Sequence, residues 1–100
     1  MRTDILKSIN YICMNEMHDE RDFNEIKDEN AYITSSGIDS FDLVMLYIKL
    51  GDFYKVSDED FKKNLEPGDN KLNDIINLII NNGKNIKSFD NIKELYDESK

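Results

Sequence analysis

Residues 35–48 read Ser35-Ser36-Gly37-Ile38-Asp39-Ser40-Phe41-Asp42-Leu43-Val44-Met45-Leu46-Tyr47-Ile48. A short polar turn runs straight into the most apolar stretch of a polar chain, and Ser40 stands at the junction, close to two aspartates. Serine is a preferred helix N-cap because its hydroxyl accepts a hydrogen bond from an orphan backbone N–H. The stretch therefore predicts a helix from Ser40 to about Leu50, capped by Ser40 and stopped by Gly51. Two apolar stripes run along it: Phe41, Val44 and Ile48, and beside them Leu43, Leu46, Tyr47 and Leu50. Such a helix is central to a bundle or shows one face to partners. Burial is the commoner fate of these residue types, so Phe41, Val44, Leu46 and Ile48 are expected in the core.

Upstream, Thr3 to about Met17 has helical spacing, with Ile5, Ile9 and Ile12 near one face and Leu6 and Cys13 beside them. Thr3 is its expected cap, and Cys13 a small core residue. Glu16 to Glu29 holds seven acids against Arg21 and Lys27, so regular structure is expected to be weak there, with Phe23 and Ile26 as its apolar contacts. His18, the single histidine, lies in this stretch and reads as a solvated loop residue. Ala31 to Asp39 reads as a loop with one apolar anchor.

Downstream, Ser57-Asp58-Glu59-Asp60 is a serine cap with acids in the first turn of a short helix, from which Phe61 and Leu65 point inwards. Pro67-Gly68 closes it. Leu72, Ile75, Ile76 and Ile79 form an i, i+3, i+4, i+7 stripe on a helix ended by Gly83. Ser88 to Tyr96 holds one or two further helical turns, with Asp90 as cap. The pattern is all-α: a small four-helix bundle with a long first loop and room for a short extra C-terminal helix.

One hundred residues make one small domain, and the −8 net charge repels nucleic acid and anionic lipid. Partners with basic patches are the natural counterpart. The lone cysteine rules out an internal disulfide. The first ten residues carry Asp4 and Asn10, which argues against a signal peptide, and no apolar run exceeds six residues. A cytoplasmic protein is the simplest reading.

The segment Gly37 to Asp42 and the helix behind it resemble the modification site of an acyl carrier protein. In that family a serine within Asp-Ser-Leu opens the second of four helices and bears 4′-phosphopantetheine. Asp39 and Ser40 match, Phe41 stands for the leucine, and Asp42 matches the acid that often follows. Gly37 falls at the family's glycine, Tyr32 at its aromatic anchor, and Val56 to Phe61 at the entry to its short third helix. The resemblance covers roughly residues 3–83, which implies a carrier domain at 1–83 and a C-terminal extension at 84–100. Alternatively Asp90 to Tyr96 is the family's last helix and Leu72 to Asn82 an insertion, although spacing from Asp60 favours the earlier segment.

The resemblance implies a protein that is not itself an enzyme. It would hold acyl or aminoacyl groups as thioesters on an arm attached to Ser40, which comes from coenzyme A. Its partners would be a phosphopantetheinyl transferase, a loading ligase and downstream synthase or transferase enzymes, met as a monomer. Asp39, Asp42 and Met45, all expected to be exposed, would face them. Met45 stands where a fatty-acid carrier usually has glutamate, Lys49 puts a positive charge on a normally acidic helix, and Ser36 replaces a common apolar residue. These departures favour a specialised, polyketide- or nonribosomal-type pathway over housekeeping fatty acid synthesis. The alternative from another class is an unmodified acidic adaptor in which Ser40 is only a cap. A serine hydrolase would need a base and an oxyanion hole that a lone loop histidine does not provide.

Overall fold

The computed structural model describes residues 1–84 and 86–99. Of the 84–100 segment, residues 85 and 100 lie outside the described ones. Five α-helices occur among the described residues: α1 (Arg2–Glu16), α2 (Ser40–Tyr54), α3 (Asp58–Asn64), α4 (Leu72–Asn82) and α5 (Phe89–Glu98). No strand occurs among those residues, only an isolated antiparallel bridge between Tyr32 and Lys71. The expected all-helical bundle is present, and the 84–100 segment contributes a fifth helix, α5.

α1 forms because Ile5, Ile9, Ile12 and Cys13 recur on one face, and all four are fully buried. It begins one residue before the expected Thr3: Met1 occupies the cap position without a side-chain bond, and Thr3 is exposed. The Arg2 guanidinium ties this end to the rest of the fold. It donates to the Glu29 carboxylate, to Asn77 Oδ1 at 2.7 Å and to Asn73 Oδ1 at 2.8 Å. α1 packs against α2, α4 and α5, and α3 against α4.

The long loop between α1 and α2 has two 3₁₀ turns, Glu20–Asp22 and Ile33–Ser36. Its apolar contacts with the core include Ile26, Ile33 and Ile38, all buried, and the half-buried Phe23, so Ala31–Asp39 has two buried anchors where one was expected. Tyr32, expected as the aromatic anchor, is exposed, with Lys71 over its ring. The chain alternates here, so turning Ile33 inwards turns Tyr32 out. The loop also finishes α4, whose cap residue, Lys71, supplies no side-chain bond. The Leu72 and Asn73 N–H groups, orphaned by their place in the first turn, donate to the Ala31 and Glu29 carbonyls at 2.9 and 2.7 Å.

α2 does not stop at Gly51. It runs one turn further to Tyr54 and ends at Lys55, whose φ of 57° puts the backbone in the left-handed region. The Val56 N–H then reaches back to the Gly51 carbonyl at 3.0 Å, which closes the helix end. Gly51 serves close packing instead. A Cβ there would lie 3.2 Å from the Phe61 ring of α3 and 3.1 Å from the Val56 carbonyl. α3 begins as expected, with Ser57 Oγ accepting the Asp60 N–H at 3.2 Å. α5 is capped by Ser88, not Asp90, its Oγ accepting the Asn91 N–H at 3.3 Å. Its Ile92 and Tyr96 enter the core shared by the other helices. No helix among the described residues is long and apolar enough to cross a membrane.

Candidate functional site

Asp39 is the residue that caps α2. Its Oδ1 accepts the Asp42 N–H at 2.8 Å, and its carbonyl accepts the Leu43 N–H at 2.9 Å. Ser40, expected to be the cap, is the first helical residue and is exposed. Among the described residues its hydroxyl has no hydrogen-bond partner, so the fold leaves the oxygen accessible. The carboxylate at the cap also lies at the positive end of the helix dipole, which favours it.

Gly37 and Ser36 hold the turn that delivers Ser40. Gly37 has φ +94°, a conformation that an L side chain rarely adopts, and a Cβ on it would lie 2.6 Å from the Asp22 carbonyl. Glycine is therefore needed both for the turn and for the close passage of the loop. Ser36 is fully buried; its Oγ donates to the Ile33 carbonyl at 2.7 Å, accepts the Ile38 N–H at 3.3 Å and lies 3.1 Å from Cys13 Sγ. The Ser36 carbonyl accepts the Asn24 N–H at 2.9 Å. A polar side chain fits here because Cys13 of α1 offers it a partner. Burial pushes the Cys13 thiol up to about 11, against the opposing effect of the Ser36 bond, so it stays protonated near neutral pH.

Asp42 is half-buried, not exposed, and its Oδ2 accepts the His18 backbone N–H at 3.2 Å. The carboxylate thus joins the end of α1 to the start of α2, which limits its freedom to meet a partner. His18 itself is exposed. Met45, placed on the partner-facing side by sequence, is half-buried.

The largest departure from expectation lies along α2. Leu43, Leu46, Leu50 and Tyr54 are buried, but Phe41, Val44 and Ile48 are 74, 53 and 50% exposed. One helix cannot bury two broad stripes at the edge of so small a bundle, and the buried stripe is the one facing α1. The sequence carried this signal, since two stripes are compatible with either fate. The exposed side opens into a groove between α2 and α3 of about 350 Å³, lined by Val44, Tyr47, Ile48, Phe61, Leu65 and neighbouring polar residues. Tyr47 fixes its wall: its hydroxyl donates to the Gly68 carbonyl at 2.8 Å and accepts from Asn70 Nδ2 at 3.0 Å.

The site thus combines an accessible primary hydroxyl at a helix N-terminus, a capping carboxylate beside it and an exposed apolar face leading away. Comparison of the chain with protein-family models, curated proteins and solved structures returns no match.

Proposed function

We propose that this chain is an acyl carrier protein, which holds acyl or aminoacyl groups as thioesters on a 4′-phosphopantetheine arm esterified to Ser40. The observation that carries the reading is the division of labour at the start of α2. Asp39 does the capping, so the exposed Ser40 hydroxyl has no structural task. A chain that needed only a cap would gain nothing from a second capping residue placed one step too late.

The residues fit the group. Ser40 and Phe41 are the first two residues of the helix, and their backbone N–H groups have no partner among the described residues, which suits a phosphodiester oxygen. Asp39 is occupied with the Asp42 N–H, which restrains it from folding over the attachment point. When attached, the arm supplies the thiol that carries the cargo. The chain's own part is to fix the attachment oxygen on a rigid element and to offer Phe41, Val44 and Ile48 as a surface beside it. The half-buried Met45 and the Lys49 ammonium over the Tyr96 ring, at 5.7 Å from its centre, give α2 a surface poorer in acid than a fatty-acid carrier's. This favours dedicated partners in a specialised pathway.

The exposed face of α2 also favours a second reading, an unmodified adaptor that docks a partner there. Intact mass after incubation with coenzyme A and a broad-specificity phosphopantetheinyl transferase tests the first. The carrier reading expects one phosphopantetheine adduct on the natural chain and none on Ser40→Ala. No adduct, with a control carrier modified in the same tube, leaves either the adaptor or a carrier that only its own transferase modifies.

A further inference from the structure

A second groove does not have Ser40 in its lining. It runs between α1, the Phe23–Lys27 stretch of the loop and the start of α5, encloses about 410 Å³ and shares no lining residue with the groove beside α2. Its surface is mainly apolar: Leu6 and Met14 from α1, Phe23 from the loop, and Tyr11 and Phe89 edge to face at 5.9 Å. All five are half-buried. Asn10 also lines it but is spent on structure. Its amide donates to the Leu6 and Ile26 carbonyls at 3.1 and 2.9 Å, and its Oδ1 accepts the Ile26 N–H at 2.9 Å, which pins the loop wall to α1.

The groove's own lining is less acidic than the chain as a whole. Lys7 and Lys27 both line it and are exposed, and neither joins an ion pair among the described residues. Lys93 stands over the Tyr11 ring at 5.6 Å from its centre. Glu25 lines the groove too; at its margin Asp97 accepts the Tyr11 hydroxyl at 2.6 Å and Asp4 accepts the Phe89 N–H at 3.3 Å. In a chain of 21 acids and 13 bases, this apolar surface is lined by two unpaired lysines against the single carboxylate of Glu25, a local excess of positive charge at its rim.

We propose that this groove is a second docking surface, which takes an acidic segment of a partner protein bearing an apolar side chain. The side chain would rest on Leu6, Met14 and Phe23 while flanking carboxylates meet Lys7 and Lys27. Met14 suits such a floor because its flexible thioether adapts to the shape it meets. A contact this small gives a weak, rapidly exchanging complex. Partners of opposite sign would then meet opposite features of the molecule, basic ones the acidic start of α2 and acidic ones this groove. The proposal stands whether or not Ser40 is modified.

The test is an amide-shift titration of the isotope-labelled full chain with the capped hexapeptide Asp-Glu-Leu-Phe-Asp-Glu. Saturable shifts are expected within residues 3–14, 23–27 and around Phe89. The affinity should fall at least fivefold between about 50 and about 300 mM salt, as screened charges require. Lys7→Glu with Lys27→Glu should weaken binding at least tenfold, whereas Lys62→Glu with Lys63→Glu, the same change in net charge on α3, should alter it less than twofold. Both pairs change exposed side chains, and an unchanged spectral dispersion verifies the fold. Absent shifts, shifts confined to Phe41–Ile48, or equal losses in both variants would overturn the proposal. So would concentration-dependent shifts of the same residues without peptide, which would assign the groove to a second copy. Octanoate binding there as tightly as the peptide would reassign it to a small amphipathic anion.

Discussion

Asp39 and Ser40 are both good capping residues, and the backbone lets only one of them cap. The residue whose φ and ψ are extended takes the role, here Asp39 at −85° and 173°, and its carboxylate receives the Asp42 N–H. Apolar periodicity marks which faces of a helix are apolar but not where its first turn begins, so it could not choose between neighbours. The consequence is measurable. Asp39→Ala should cost about 1 kcal/mol of stability, as lost caps do. Ser40→Ala, which removes an exposed hydroxyl with no partner, should stay within about 0.5 kcal/mol of the natural chain. Urea unfolding of both variants checks this, and a larger loss for Ser40→Ala would place the cap on the serine. The same geometry changes how charge reversal at the site is read. Asp39→Lys removes the cap and sets a cation against the helix dipole, while Asp42→Lys removes the tie to His18, so neither variant tests partner contact alone.

At the scale of elements, the turn that delivers Ser40 is built by the loop as much as by α2. Gly37 lets the chain turn, and Asp22 passes so close to it that no side chain fits. Gly37→Ala combines a φ of +94° with a clash against backbone, which cannot swing aside as a side chain can. A loss of roughly 2 kcal/mol or more in urea unfolding is expected, with amide shifts in Asp19–Asn24 and Gly37–Asp42. A stability within about 0.5 kcal/mol of the natural chain would show that the loop yields and does not brace the site. Legibility divides along the same line. The buried stripes of α1 and α4, and the serine cap of α3, were readable because period and cap chemistry are local. The end of α2 was not, because Gly51 lies inside the helix for the sake of Phe61, a contact made across elements. Nor was the exposure of Phe41, Val44 and Ile48, since a stripe records that a face is apolar and not what covers it. Ser40 was legible as a site from its neighbours alone, whereas its release from capping needed the backbone.

For the molecule as a whole, the helices meet through buried groups that must stay protonated. Cys13 joins α1 to the turn before Ser40, and Tyr96 joins α5 to α1 through its hydrogen bond to the Glu16 carboxylate. Burial raises the Cys13 thiol from its ordinary value near 9 to about 11. Burial first, then the Glu16 carboxylate, raises the Tyr96 phenol above its ordinary value near 10. Both are groups whose charged form the folded state disfavours. Below pH 9 folded and unfolded chains hold these protons alike, and stability does not depend on them. Between about 9 and 11 the unfolded chain releases the thiol proton while the folded chain keeps it, so stability falls with rising pH by roughly 2–3 kcal/mol in all. The phenol adds its own fall from about pH 10 upwards, in the same direction, and its loss charges the α1–α5 contact, where a phenolate would face Glu16. The urea midpoint should therefore be level up to pH 9 and then decline. Cys13→Ala should flatten the stretch from 9 to 10 and keep the decline above 10, while Tyr96→Phe should reduce the latter. Should Cys13→Ala decline as steeply from pH 9 as the natural chain, the thiol is not the group that opens the fold. Protease cleavage appearing first in α5 as the pH passes 10 would identify the tail helix as the part that leaves, with Ser40 and its turn still in place.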